Sequence, residues 1–188
     1  MIWRRLDVPG REEARIEKAE TGWHLAGQVT VEEAGLAARL TYVIDCDPAW
    51  RTRSAVIDGD AGGAAIRFAL AADGAGNWTL DGKPMDALTG ALDVDLGFTP
   101  ATNTLPIRRL GLAIGDSTPV RTARLRFPEL RLEVLEQTYT RDTERAFRYR
   151  AMVDDEPFVA RLDVDAFGRV RRYEGLWEAE LTMPDDAG

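Results

Sequence analysis

Apolar and polar residues alternate along most of the chain, as they do in half-buried β-strands. In the first half the alternating runs lie at residues 14–17, 22–29, 36–44, 55–57, 65–70 and 77–80. In the second half they lie at residues 130–134, 137–140, 147–151, 159–164 and 170–177. Polar, Gly- or Asp-containing clusters separate most of these runs and are typical of tight turns. The short spacing predicts antiparallel hairpins, since strands that alternate with helices would need longer repeats.

The pattern therefore predicts an all-β, antiparallel fold in a single domain of residues 1–188. Two strand-rich halves, about residues 1–92 and 111–180, are joined by an ordered crossover segment. We find no amphipathic helix and no internal repeat in the sequence. We expect residues 184–188 to be frayed at the C-terminus.

Residues 93–112, with the sequence DVDLGFTPATNTLPIRRLGL, do not alternate. A connection of this length is usually functional or disordered. Leu96, Phe98, Leu105, Ile107 and Leu110 provide too much apolar surface for a disordered segment. The prolines restrict the backbone, and the threonines and the asparagine satisfy backbone groups in turns. This predicts a stiff polar loop that presents Thr102 and Asn103 at the mouth of a pocket.

Asp93 and Asp95 are two residues apart, so in an extended strand their carboxylates lie on one side, roughly 6–7 Å apart. Such a pair could hold a cation, bind sugar hydroxyls or act as the acid and base of a glycosidase. It could equally be a solvated strand face, or pair with Arg108 or Arg109. If those two arginines lie on a strand they point to opposite faces, and at most one of them reaches the pocket.

A second candidate cluster is formed by Trp50, Arg51 and Arg53. The two arginines share a strand face and could grip an anionic head group through forked hydrogen bonds. They could also neutralise nearby carboxylates, among them Asp45 and Asp47.

The composition narrows the function classes. The net charge of -8 and the pI near 4.8 argue against a nucleic-acid partner, which would require a basic face. Cys46 is the one cysteine and His24 the one histidine, so we expect a buried thiol and no metal or other cofactor. The start of the chain lacks the apolar run of a signal peptide, and no stretch approaches the roughly 20 apolar residues of a membrane helix. We therefore expect a soluble, cytoplasmic protein.

Several motifs resemble a family of uncharacterised bacterial proteins labelled putative glycolipid-binding. They are DVDL at residues 93–96, TNTLPIRRL at 102–110, WRTR at 50–53 and YEGLW at 173–177. The fold of that family is similar to that of lipoprotein carriers. The resemblance implies antiparallel strands curled into a half-barrel or two-layer sheet around a hydrophobic cavity, which binds an amphiphile without catalysis.

The leading hypothesis is thus a non-enzymatic protein that holds a lipid or glycolipid, with a polar, Arg- and Asp-lined mouth. The candidate ligand-binding residues are Trp50, Arg51, Arg53, Asp93, Asp95, Thr102, Asn103, Arg108, Arg109, Tyr173 and Trp177. One alternative is a carbohydrate-active hydrolase that uses Asp93 and Asp95. Another is a structural or interaction domain without a ligand, and the oligomeric state stays open.

Overall fold

Paired strands make up most of the chain in the computed structural model, which describes residues 1–180. The predicted C-terminal tail at residues 184–188 lies outside this range. The strands are β1 (Ile2–Arg5), β2 (Gly10–Ala19), β3 (Gly22–Glu33), β4 (Leu36–Cys46), β5 (Thr52–Ala61), β6 (Ala64–Ala72), β7 (Trp78–Leu80), β8 (Lys83–Pro84), β9 (Asp93–Leu96), β10 (Ser117–Arg126), β11 (Arg131–Thr143), β12 (Ala146–Val153), β13 (Glu156–Val164), β14 (Val170–Tyr173) and β15 (Trp177–Ala179). They form one 15-stranded sheet in this part of the chain. The all-β prediction is confirmed.

The sheet consists of two meanders that meet at its centre. Strands β1 to β8 pair in sequence order, and so do β9 to β15. The meanders are joined by antiparallel pairing of the first and last strands, in which Trp3 lies opposite Ala179. The pairs are antiparallel, apart from the parallel pair of β9 with β10. Each predicted half is therefore a run of hairpins, and the chain crosses from one edge of the sheet to the other between β8 and β9.

The sheet curls until its β9 edge approaches the inner face of β5, but it does not close. The backbone N–H of Thr52 donates to the carbonyl of Leu92 at 3.0 Å. The Thr52 hydroxyl accepts from the N–H of Val94, also at 3.0 Å. These bonds attach the edge without a ladder of paired residues, so the curled sheet stays open.

Alternation along each strand places one set of side chains inside the curl. On β4 the inward residues include Leu40, Tyr42 and Ile44, all of which are fully buried. The Tyr42 ring lies directly over Gly27 of β3, where a Cβ atom would stand 2.5 Å from the ring. Glycine at this inward position is therefore needed to let the ring approach the backbone.

The crossover segment is helical, which corrects the prediction of a stiff loop without a helix. A 3₁₀ turn (Ala101–Asn103) leads into the single α-helix of the described residues, α1 (Thr104–Leu110). Pro106 lies in the first turn, where its missing N–H breaks no helical hydrogen bond. Gly111 ends the helix in the left-handed conformation, at φ 55°. Seven residues are too few to show a helical period in the sequence.

This segment packs inside the curled sheet. Phe98 and Leu105 are fully inaccessible to solvent, and Ile107 is 6% exposed. The crossover thus supplies much of the core that a sheet curled on itself would otherwise lack. It reduces the interior space on its side of the sheet to a small cleft, described below.

Candidate functional site

A cleft of about 220 Å³ opens between the crossover segment and the inner face of the central strands. We call it the inner cleft. Its lining residues are Arg5, Asp7, Glu33, Asp95, Leu96, Gly97, Thr99, Asn103, Arg124, Phe127, Tyr149, Val153, Phe158, Tyr173, Leu176 and Trp177. They come from both meanders and from the crossover, so only the folded chain assembles them.

Aromatic rings form one wall of the inner cleft. Tyr149 meets Phe158 and Tyr173 edge to face, with ring centroids 6.0 and 5.9 Å apart. Trp177 is buried and lies beneath the Arg5 guanidinium, whose central carbon is 5.5 Å from the ring centroid. Burial raises the pKa of Tyr149 and of Tyr173 well above the ordinary value. Both phenols therefore stay neutral and can donate hydrogen bonds.

Arg5 is a buried cation in this wall, with 8% of the residue exposed. Two acids at the rim hold it: Asp7 accepts from Nε at 2.9 Å and Glu33 lies 2.8 Å from Nη2. The third nitrogen, Nη1, is buried and has no hydrogen-bond partner among the described residues. An unpartnered buried donor is costly, so an oxygen acceptor placed beside this nitrogen would be stabilising.

Asp95 faces the inner cleft from β9. Its Oδ2 accepts from the Gln137 amide nitrogen at 2.6 Å. Burial raises the pKa of this carboxyl, although the charge of Arg124 and hydrogen bonds from Gln137 and Thr102 act in the opposite direction. Arg124 itself is 3.7 Å from Glu133, and its buried Nε has no hydrogen-bond partner in residues 1–180. The cleft therefore contains two arginines that each have a free buried N–H.

Asn103 is positioned by the core below it. Its Oδ1 accepts from the Tyr139 hydroxyl at 2.8 Å, and its amide nitrogen donates to the carbonyl of Pro100 at 3.3 Å. Both bonds fix the amide in one orientation, so the cleft presents a rigid polar group from the crossover.

Beside the cleft, Glu12 is buried on β2 with 1% of the residue exposed. Thr99, a lining residue, donates to its Oε1 at 2.6 Å, and the Tyr42 hydroxyl donates to the same atom. The other oxygen, Oε2, has no partner among the described residues. Burial raises the pKa of Glu12 to about 7, although both hydrogen bonds lower it. This network ties the start of the crossover to the sheet.

Asp93 does not face the inner cleft. It is fully buried and accepts from Arg109 Nη2 at 2.6 Å and from Nε at 3.0 and 3.1 Å. Arg109 lies on α1 and not on a strand, and its pair with Asp93 is one of the alternatives that the sequence left open. Asp93 and Asp95 thus have different hydrogen-bond partners, Arg109 for Asp93 and Gln137 for Asp95.

Trp50 and Arg108 lie in another cluster. Trp50 stacks on Trp23 with ring centroids 4.3 Å apart, and Phe167 packs edge-on against both. Arg108 lies over Phe167 at 4.7 Å and donates to its carbonyl at 3.1 Å. The cluster joins β3 and the loop before β5 to the turn between β13 and β14. It therefore connects the first meander to the second.

Arg51 and Arg53 bind the loop between β6 and β7 instead of the cleft. Arg51 donates to the carbonyl of Gly74 at 3.3 Å, and Arg53 donates to the carbonyl of Asp73. The predicted residues that the structure brings to the inner cleft are therefore Asp95, Asn103, Tyr173 and Trp177, with Thr102 bonded to Asp95.

Sequence reasoning missed Arg5, Arg124, Tyr149 and Phe158 as lining residues. A signal for Arg5 exists, because Arg5 shares the strand phase of Trp3 and therefore points inward. A charge in an inward phase must be paired or bind a ligand. Tyr149 and Phe158 have the alternation of ordinary core residues, which does not distinguish a cleft wall from a packed interior.

The remaining reactive side chains lie elsewhere. Cys46 is buried, and burial raises the pKa of its thiol to about 12, so the thiolate is scarce. His24 Nδ1 is 2.8 Å from Asp45 on the outer face. Within residues 1–180, no group of three or more His, Cys, Asp or Glu side chains is arranged to hold a metal ion. None of the helices in that range has the length and hydrophobicity to span a membrane.

A larger groove of about 840 Å³ lies across β2 to β5, but most of its lining residues are exposed. Its charged residues include Arg11, Glu32, Arg39 and Asp60. No buried polar atom without a partner belongs to its lining residues. It is therefore a weaker candidate than the inner cleft.

Residues 1–179 match the family model described as putative glycolipid-binding. The chain belongs to this family. Among solved structures, this chain is similar to the crystal structure of a DUF1089 family protein from Pseudomonas aeruginosa. The two are 31% identical, the match covers 90% of this chain and 92% of that one, and the TM-score is 0.81. A search of curated proteins gave no match.

Proposed function

We propose that the protein binds a glycolipid or a similar amphiphile without catalysis, with the polar head in the inner cleft. One observation carries the proposal: buried donors, acceptors and aromatic rings converge on one small space. Concave sites with an apolar wall and a few fixed polar groups are typical of small-molecule binding. The family description supports a binding role in general.

We assign a role in binding to each part of the cleft. Arg5 and Arg124 each offer a free N–H, and Asp95 offers a carboxyl oxygen. The fixed amide of Asn103 adds a further polar group. These groups are complementary to a head group rich in oxygen atoms, because hydroxyl and carbonyl oxygens satisfy arginine donors.

The apolar chain has a different path. At about 220 Å³ the inner cleft is smaller than the roughly 300–1,000 Å³ of pockets for drug-sized ligands, so it does not hold both a head group and a long chain. Val153, Phe158 and Leu176 are partly exposed at its rim. We place the start of the chain against these three residues, outside the filled core.

The five tryptophans provide a direct test by two-dimensional ¹H–¹⁵N NMR. Octyl β-glucoside, added below its critical micelle concentration, should shift the indole signal of Trp177, which lines the cleft. The indole of Trp78 donates to the carbonyl of Ala91 at 2.8 Å, away from the cleft, and should stay in place. The proposal is wrong if the Trp177 signal does not move, or if the signals of Trp23 and Trp50 move instead.

A further inference from the structure

From the charges that line the inner cleft we infer that it takes a single uncharged sugar ring and discriminates against head groups that carry a carboxylate or a phosphate. This inference rests on the proposed function and specifies the ligand class of the same site. Four features of the cleft support it: its charge balance, its unpaired donors, its aromatic wall and its size.

The charge balance does not favour an anion. The lining residues include two cations, Arg5 and Arg124, and three acids, Asp7, Glu33 and Asp95. If all of them are ionised the sum is -1, and if Asp95 holds a proton the sum is zero. Each arginine also has acids close by already: Asp7 and Glu33 next to Arg5, and Glu133 next to Arg124. An anionic ligand would find no net positive charge to bind.

The unpaired donors still require an acceptor. Nη1 of Arg5 and Nε of Arg124 are buried without a partner in the described part of the chain. A sugar hydroxyl can accept a hydrogen bond from such a nitrogen. The same hydroxyl can donate a hydrogen bond to a carboxyl oxygen of a nearby acid such as Asp95 or Glu33. A phosphate or a carboxylate has only acceptor oxygens when ionised, so it would satisfy the arginines but oppose the acids.

The wall and the volume fit one ring. Tyr149, Tyr173 and Trp177 present apolar ring surface with polar atoms at the edge, and such residues suit a sugar, whose faces are C–H and whose edge is hydroxyl. A volume of about 220 Å³ equals roughly seven water molecules at about 30 Å³ each. That is room for one ring and not for a longer oligosaccharide.

Two ligands that differ in one group test the inference by calorimetry. Octyl β-glucoside and octyl β-glucuronide share the ring and the chain, but the second has a carboxylate in place of the hydroxymethyl group. At physiological salt and below micelle formation, we expect the glucuronide to bind at least tenfold more weakly, which is about 1.4 kcal/mol. Equal or tighter binding of the glucuronide would overturn the inference and leave the proposed function standing. Binding of neither ligand would overturn both.

A charge variant tests the cause of the discrimination. Glu33→Gln removes one acid next to Arg5 and raises the cleft charge by one, so the preference for the glucoside should fall by about threefold or more. Glu136→Gln is the matched control, because Glu136 pairs with Arg121 at an exposed position outside the cleft. If Glu33→Gln leaves the preference unchanged, or if Glu136→Gln alters it equally, the charge argument is wrong.

Discussion

At the residue scale, inward-facing charges are the most informative feature of the molecule. Arg5 and Glu12 occupy the strand phase of core residues, and both are buried. Asp93 and Asp95 on β9 are also held inside. Each of these groups needs a hydrogen-bond or ion-pair partner. Nη1 of Arg5 and Oε2 of Glu12 have none among the described residues. Unpaired buried polar atoms are rare in folded proteins, and those of Arg5 and Arg124 are the reason for choosing the inner cleft as the candidate site.

Glu12 predicts a pH-dependent stability. Its pKa is about 7 in the folded protein and 4.5 as its ordinary value, so between these values only the folded chain holds the proton. The proton on Glu12 stabilises the folded state, and this contribution to the free energy of unfolding is fully present below pH 4.5. It is lost as the pH rises through 7, and the total loss is roughly 3 kcal/mol. Glu12→Gln mimics the protonated acid, so this variant should be more stable than the native protein above pH 7 and similar to it at pH 4.5.

Urea unfolding at several pH values measures this difference. Glu13→Gln is the control, because Glu13 neighbours Glu12 but points to solvent. If the free energy of unfolding varies with pH in the same way for the native protein and for Glu12→Gln between pH 4.5 and 8, folding does not raise the pKa of Glu12. That result would contradict the prediction.

At the element scale, the sequence predicted most strands and missed the helix. Alternation identified β2 to β7 and β11 to β14 because their side chains lie half in and half out of a core. It missed the short strands β1 and β8 and the ten-residue strand β10, and the predicted run at residues 170–177 covers β14, a turn and only the first residue of β15. The short helix α1 escaped because its apolar residues are buried by the surrounding sheet on several sides, which removes the helical period. Burial of this kind depends on contacts between distant residues, and local patterns do not record them.

The pair of Arg109 and Asp93 predicts how firmly α1 is held. Arg109→Ala leaves a carboxylate fully buried without its cation, and such a loss costs about 3–5 kcal/mol. We expect a loss of that size in the free energy of unfolding, measured in urea. Arg121→Ala breaks the exposed pair with Glu136 and should cost less than about 1 kcal/mol. Similar costs for both variants would contradict a structural role of the buried pair.

At the scale of the whole molecule, the inner cleft lies where the two meanders and the crossover meet. Arg5 and Trp177 come from the central strands, Asp95 and Asn103 from the crossover side, and Tyr149 from the second meander. The curl brings these residues to one cleft, although Arg5 and Trp177 are 172 positions apart in the sequence. The sequence indicated Asp95, Asn103, Tyr173 and Trp177 through motifs. It also left open an ion pair of the two aspartates with Arg108 or Arg109, and the structure contains one such pair, between Asp93 and Arg109. The sequence did not indicate which aspartate and which arginine form it, because that depends on how the crossover packs inside the sheet.

The most direct measurement is a difference electron-density map of crystals grown with octyl β-glucoside. We expect density for one sugar ring in the inner cleft, within hydrogen-bond distance of Nη1 of Arg5 and Nε of Arg124, with the alkyl chain leaving past Phe158. A saturated crystal with no ring density in the cleft, or with the ring bound at the Trp50 cluster, would contradict it.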